Sequence, residues 1–329
     1  MEPLIEISST LGLTARFLPL GATLTSLLVQ DRDGKPVDVV LGFDNYKDYL
    51  NDTMYMGRTV GRVCNRIRHG RFTFDNKQFE LPINSPPHHL HSGPSGIALK
   101  DWNVVQQTPT SVSFRMCVSE SEDGFPGDAK IDVTYTVNDR NQLLIEHGAH
   151  CTKAGVLSLT NHSYWNLDGS QSVKNHFLKV GADAYLPTDQ GDLPTGEIRP
   201  VEGTRFDFTQ EKSLECLLDK NGNIDIDNDL ILRPARNPHR ALSLFSPISG
   251  IKMVVTTSYP VIHLYGGRHI NCKGKNGESY GSGKGISIEP QFHTAAVNYD
   301  NFPDIRLSPD RPYFQEIVYS FSVSPNGGH

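Results

Sequence analysis

Ile131-Asp132-Val133-Thr134-Tyr135-Thr136-Val137 alternates apolar and polar side chains without a break. Successive side chains of a strand point to opposite faces, so Ile131, Val133, Tyr135 and Val137 share one buried face. The same period runs upstream through Val112, Phe114, Met116 and Val118. Downstream, the turn Asn138-Asp139-Arg140-Asn141 leads into a further run from Leu143 to Glu146. Leu11, Leu13, Ala15 and Phe17 repeat the pattern near the N-terminus, and Phe72 and Phe74 face Phe79 and Leu81 across Asp75-Asn76-Lys77, a hairpin signal. Only Ser213 to Leu218 reads as locally helical, and no window sustains a helical period over three turns. Many short strands separated by turns predict an all-β chain, a large antiparallel β-sandwich. With no internal repeat and no linker-like composition, residues 1–329 are expected to form one domain.

Composition narrows the function. The formal net charge is -6 and no basic block stands out, which argues against nucleic acid as a partner. Apolar runs are short: Leu24 to Val29 is interrupted by Thr25 and Ser26, too little to span a bilayer. Met1-Glu2-Pro3-Leu4-Ile5-Glu6 has neither a basic segment nor a continuous apolar one, so no secretory leader is expected. Cys64, Cys117, Cys151, Cys216 and Cys272 are an odd, dispersed set with no CxxC pair. Reduced thiols in a cytoplasmic protein are expected. Asn271 to Gly285 is rich in Gly, Ser and Lys but lacks the spacing of a phosphate-binding loop, so it reads as a flexible surface loop.

Chemistry concentrates in Thr160-Asn161-His162-Ser163-Tyr164-Trp165-Asn166-Leu167-Asp168-Gly169, which sets a histidine and two aromatic rings among amides and a carboxylate. Rings that stack on C–H faces beside groups that read hydroxyls suit a polyhydroxylated ligand such as a sugar. The alternative is a strand end with a satisfied histidine and a structural Trp. Glu289 follows the alternating Ile286 and Ile288 and precedes Pro290: it reads either as a solvated strand-end acid or as a strand-end carboxylate aimed into a cleft, where with His162 it would form an acid/base pair. Arg66, next to Asn65 in a partly apolar strand, must be paired or face a cleft. His89 and His91, two apart, would share one face of an extended segment; no third ligand at recognisable spacing completes a metal site, and hydrogen bonding by His91 is the preferred reading. Asp227, in Ile226-Asp227-Asn228-Asp229, cannot be told from its acidic neighbours.

Several motifs stand in one order: Asn65-Arg66-Ile67, Leu90-His91-Ser92-Gly93, Gly124-Phe125-Pro126-Gly127, Thr160 to Leu167, and Glu289-Pro290-Gln291. With Leu41-Gly42-Phe43 and Pro194-Thr195-Gly196-Glu197-Ile198, they resemble the aldose 1-epimerase (galactose mutarotase) family over nearly the whole chain. The resemblance implies a galactose mutarotase-like supersandwich with a sugar in an open cleft and no metal or organic cofactor. It also implies Glu289 as general base, His162 as general acid, and Arg66, His91 and Asp227 as hydroxyl-binding residues with Asn65 and Tyr164 close by. The implied reaction is interconversion of the α and β anomers of hexoses such as galactose and glucose. Departures fall at His263, where the family usually has a sugar-contacting Gln, at Asn228, which replaces a usual His, and at Thr294-Ala295. They raise the alternative of an isomerase or cyclase acting on a non-hexose hemiacetal. A non-catalytic sugar-binding module is a third reading, disfavoured by retention of both acid and base. The expected partner is a small-molecule sugar, in a monomer or weak homodimer.

Overall fold

The computed structural model describes residues 4–233 and 239–324. Among these, the largest sheet has nine strands, all antiparallel. Its order runs Asn103–Gln107, Ser111–Val118, Ala129–Asn138, Gln142–Cys151, Tyr313–Val323, Ile251–Thr257, His239–Phe245, Phe177–Val180 and Lys212–Ser213. The opening heptapeptide is a central strand, and its alternation is realised: Ile131, Val133, Tyr135 and Val137 are buried, with half-buried residues between them. A six-stranded sheet runs Tyr164–Trp165, Ile286–Gln291, Val261–Tyr265, Asp227–Leu232, Ala182–Tyr185 and Arg199–Pro200. A four-stranded sheet near the N-terminus spans Ile5–Ser8 to Pro36–Asp38.

The two large sheets share one apolar core, the arrangement expected of a sandwich. Leu230, Ile262, Leu264, Ile286 and Ile288 of the six-stranded sheet cluster with Met253, Val255, Ile317 and Tyr319 of the nine-stranded one. Trp165 belongs to this core: its ring lies 4.5 Å from that of Tyr319. The aromatic pair of the stretch 160–169 is therefore split, with Tyr164 toward the cavity and Trp165 toward the core. Strand period is the cause, because neighbouring residues take opposite faces.

Three local expectations change. Glu289 sits inside the strand Ile286–Gln291 rather than at its end. Residues 271–285 are not a loose loop. Cys272–Lys273 and Ser279–Tyr280 pair as a hairpin, and the buried Lys284 ammonium donates to Gly169 O, Ser170 O and the Glu278 carboxylate. Lys275 likewise donates to Asp38 and to Val40 O. His89 and His91 do not share a face. His91 and Ser92 adopt left-handed φ of 53° and 63°, which ends the extended run. His89 then bonds Pro82 O at 2.6 Å and packs on Phe125, while His91 enters the cavity. The helical reading at 213–218 is realised as one turn, Leu214–Leu217.

Two buried histidines outside the cavity predict an acid-sensitive fold. His147 bonds the Tyr259 hydroxyl at 2.7 Å, which in turn meets the Tyr313 hydroxyl at 2.8 Å. Burial pushes His147 down to about 3. His176 accepts a hydrogen bond from the Leu167 amide, and burial, partly opposed by Asp168, pushes it down to about 4. Both folded values lie below the ordinary 6.5, so the unfolded chain takes up protons first. The stability they allow is complete above about pH 6.5 and falls as pH drops toward 4. Each group contributes a slope of about 1.4 kcal/mol per pH unit in that window. His147→Gln is expected to flatten the slope between pH 6 and 4 by that amount in urea titrations; an unchanged slope would mean that His147 is already charged in the fold.

Candidate active site

The floor of the cavity is the outer face of the six-stranded sheet. Register places Asp229, His263 and Glu289 side by side on three neighbouring strands. The next row on the same face is Asp227, Tyr265, Ser287 and Tyr164. Residues one position away, Asn228, Leu264 and Ile288, turn to the other face. The strand period turns Asp227 and Asp229 to this face, and of these acidic neighbours, which sequence alone could not tell apart, Asp227 lines the cavity and Asp229 does not. Asn228 donates to Leu186 O at 3.3 Å and is not among the lining residues, so its substitution does not alter the cavity wall.

The cavity is about 280 Å³ and is lined by every predicted site residue: Asn65, Arg66, His91, His162, Tyr164, Asp227, His263 and Glu289. Tyr265 of the floor, Leu90 of a short strand, and Thr53, Met54, Tyr55 and His269 from loops complete it. Tyr55 is set by Asp52, which accepts from the Met54 and Met56 amides at 2.7 and 2.8 Å. Its ring stands 4.8 Å from that of His91 and 6.2 Å from that of His162, a flat apolar wall beside the polar floor.

Glu289 is 1% exposed. Its Oε1 accepts from Ser287 Oγ at 3.1 Å and lies 3.5 Å from His162 Nε2. Among the described residues its Oε2 has no partner. A buried carboxylate oxygen without a donor costs free energy, so its position calls for a ligand hydroxyl. His162 Nδ1 is 3.3 Å from Ser287 Oγ, placing imidazole and carboxylate on one hydroxyl.

His91 Nδ1 accepts from the Asn65 amide at 3.0 Å, which leaves the proton on Nε2 as a donor. Burial, then the positive charge available to His162, Arg66 and His263, holds His91 well below the ordinary histidine value, so it stays neutral. Arg66 lies 3.3 Å from Asp192 and 3.8 Å from Asp227. Arg268 pairs with the same two carboxylates. Burial alone would raise Asp227; the hydrogen bond and charge of His263, followed by Arg66 and Arg268, hold it below the usual carboxylate value.

His263, expected as a sugar contact, lines the cavity with carboxylates at both ring nitrogens. Nε2 is 3.1 Å from Asp227 Oδ1 and Nδ1 is 2.7 Å from Asp229 Oδ1. Both ring nitrogens are committed to carboxylates. Thr294 is buried and does not line the cavity; its amide and hydroxyl donate to Asp229 at 2.7 and 3.1 Å. Sequence reading missed Asp229, Ser287, Tyr55, Asp192 and Arg268. The first two had a signal, since each stands two residues from a chosen carboxylate on the same strand face. The others come from loops with no local mark.

The family profile of aldose 1-epimerase matches residues 3–320. The chain belongs to the aldose 1-epimerase family. Galactose mutarotase of Rattus norvegicus is 38% identical over 308 residues, covering 92% of this chain and 90% of that protein. Aldose 1-epimerase of Escherichia coli is 30% identical over 327 residues, covering 97% and 94%. A crystal structure of an aldose epimerase homologue from C. elegans superposes with a TM-score of 0.95 at 51% identity, covering 98% of this chain and 99% of that one. As an aldose 1-epimerase by family, the chain is an isomerase, and the supersandwich expected from its motifs is the fold observed. Among the described residues no helix is long and apolar enough to cross a membrane.

Proposed function

We propose that this aldose 1-epimerase interconverts the α and β anomers of free galactose and glucose through Glu289 and His162. The observation that carries the reading is the unpartnered Oε2 of buried Glu289, with His162 3.5 Å from the other oxygen, in a cavity walled by hydroxyl-binding groups. Glu289 takes the proton of the anomeric hydroxyl while His162 gives one to the ring oxygen. The C1–O5 bond breaks, C1–C2 rotates, and the ring closes on the other face with the roles reversed. Arg66, Asp227, His91 and Asn65 orient the remaining hydroxyls, and Tyr55 and Tyr164 offer rings to the C–H face. An acid, a base and oriented hydroxyl contacts suffice for this redox-neutral step, so the reading calls for no metal or organic cofactor.

The non-hexose alternative rested on three substitutions. Asn228 turns away from the cavity and Thr294 does not line it, so two of the three leave the wall untouched. The hexose reading is preferred for that reason. Five free thiols suit the cytoplasm, where we place the activity, in residues 1–329 acting as one domain and as a monomer or weak homodimer. Polarimetry of freshly dissolved α-D-galactose and α-D-glucose tests the proposal. Rotation should relax to equilibrium faster than in buffer, in a saturable way. Rates equal to buffer for both sugars would overturn it.

A further inference from the structure

The ring of His263 joins two carboxylates that cannot donate. Asp227 Oδ1 is 3.1 Å from Nε2, and Asp229 Oδ1 is 2.7 Å from Nδ1. Carboxylates only accept, so two hydrogen bonds to one imidazole require a proton on each nitrogen, which is the imidazolium. Burial alone would lower the imidazole value; the bonds and charges of Asp227 and Asp229 outweigh it and raise it to about 10. Asp229 is itself immobilised. It accepts from the Thr294 amide and hydroxyl at 2.7 and 3.1 Å, and Gln291 Nε2 stands at 3.4 Å. Neither Asp229 nor Thr294 lines the cavity, whereas Asp227 does.

We propose that Thr294, Asp229 and His263 form a buried positioning chain that holds Asp227 charged and aimed into the cavity, so that affinity for sugar stays independent of pH across neutrality. The inference rests on the reading above that the cavity binds hexoses. It makes His263 and Thr294 parts of one hydrogen-bonded device rather than separate alterations of the wall. His263 supplies the fixed positive charge, Asp229 fixes its proton, and Thr294 fixes Asp229. Other charged or titratable groups face this unit. Arg66 from the short strand Arg66–Ile67 and Arg268 from a loop contact Asp227, Glu289 neighbours His263 in register, and neutral His91 stands close by. Asn65 Nδ2 lies 3.4 Å from His263 Nε2.

The test uses the intact protein labelled with ¹⁵N-histidine, with the His263 resonances assigned by loss in His263→Gln. In wild type both ring nitrogens should keep imidazolium shifts from pH 6 to 9. Asp229→Asn should bring the midpoint down by at least two pH units, and Thr294→Val should lower it by less. In polarimetry, wild-type KM for galactose should stay flat between pH 6 and 8.5. In Asp229→Asn it should rise about tenfold across the new midpoint, with kcat changed less than threefold, and return toward the wild-type value at low pH. A merely structural role would give no such pH-linked recovery. Neutral shifts for wild-type His263 at pH 8, or a flat wild-type-like KM in Asp229→Asn, overturn the proposal. Should Asp229→Asn fail to fold, Thr294→Val carries the same comparison. If wild type does not accelerate mutarotation, the hexose reading falls, while the resonances still decide the charge of His263.

Discussion

Glu289→Gln lowers kcat for galactose anomer interconversion by about 10²–10⁴-fold and leaves the fold intact. The amide keeps the shape of the carboxylate but has no lone pair able to take the anomeric proton. No other carboxylate in the cavity can replace it. Asp227 is held by His263 and lies against Arg66 and Arg268, and these positive partners keep it below the usual carboxylate value, which makes it a weak base. Asp229, beside His263 on the same sheet face, does not line the cavity and is bonded to His263 and Thr294. His91 has already spent its Nδ1 lone pair on the Asn65 amide. Removing a buried charge with an unpartnered oxygen should not unfold the chain, so the thermal midpoint should stay within a few degrees of wild type. KM should change little, because the hydroxyl contacts remain. Progress curves at pH 6–7, where spontaneous mutarotation is slow, measure the ratio directly. A variant that keeps more than about a tenth of wild-type kcat would move the base elsewhere.

Asp123→Leu is expected to remove about 3–5 kcal/mol of folding free energy, a large share of the 5–15 kcal/mol typical of a domain. The side chains of Arg62 and Asp123 are each 1% exposed and form a two-pronged pair, Nε to Oδ2 and Nη2 to Oδ1, both 2.8 Å. The guanidinium also donates to Phe125 O at 3.0 Å and to Pro126 O at 3.4 Å, tying down the loop Gly124-Phe125-Pro126-Gly127. Deleting the carboxylate strands a buried guanidinium, whose desolvation is then unrepaid. The damage should reach the cavity, because Arg62 leads directly into Asn65 and Arg66. The Ser158 amide donates to Arg62 O, and Ser92 Oγ caps the Val63 amide at 2.9 Å. Urea unfolding gives the loss, and KM of the folded fraction should rise. Arg62→Leu combined with Asp123→Leu should recover most of the loss, since no buried charge is then left alone. An equally unstable double variant would show that the pair acts through shape instead.

The strand framework was readable because its signal is local. Ile131, Val133, Tyr135 and Val137 alternate within seven residues, and the nearest turn residues lie beside them. His162 and Glu289 were readable from their motifs. Their partnership was not, because 127 positions separate them and only the pairing of Tyr164–Trp165 with Ile286–Gln291 brings them to 3.5 Å. His89 and His91 misled for the opposite reason: two positive φ values overrode a period that assumed extended backbone. Residues 271–285 looked loose because their anchors, Asp38 for Lys275 and the Gly169 and Ser170 carbonyls for Lys284, lie far away in the chain.

The amino-acid order alone determined the sheet-forming segments, the family and the acid/base candidates, since each depends on residues close together or on short motifs. Tertiary structure alone decided which acids face the cavity. Asp227 and Asp229 share the cavity-side face of the sheet and Asn228 takes the other because strand register, set by the pairing with Val261–Tyr265, assigns faces with a period of two; of the two acids Asp227 alone lines the cavity. It also decided that His263 is committed to carboxylates on both nitrogens, a charge state that no neighbour in sequence could reveal, because its partners arrive from another strand.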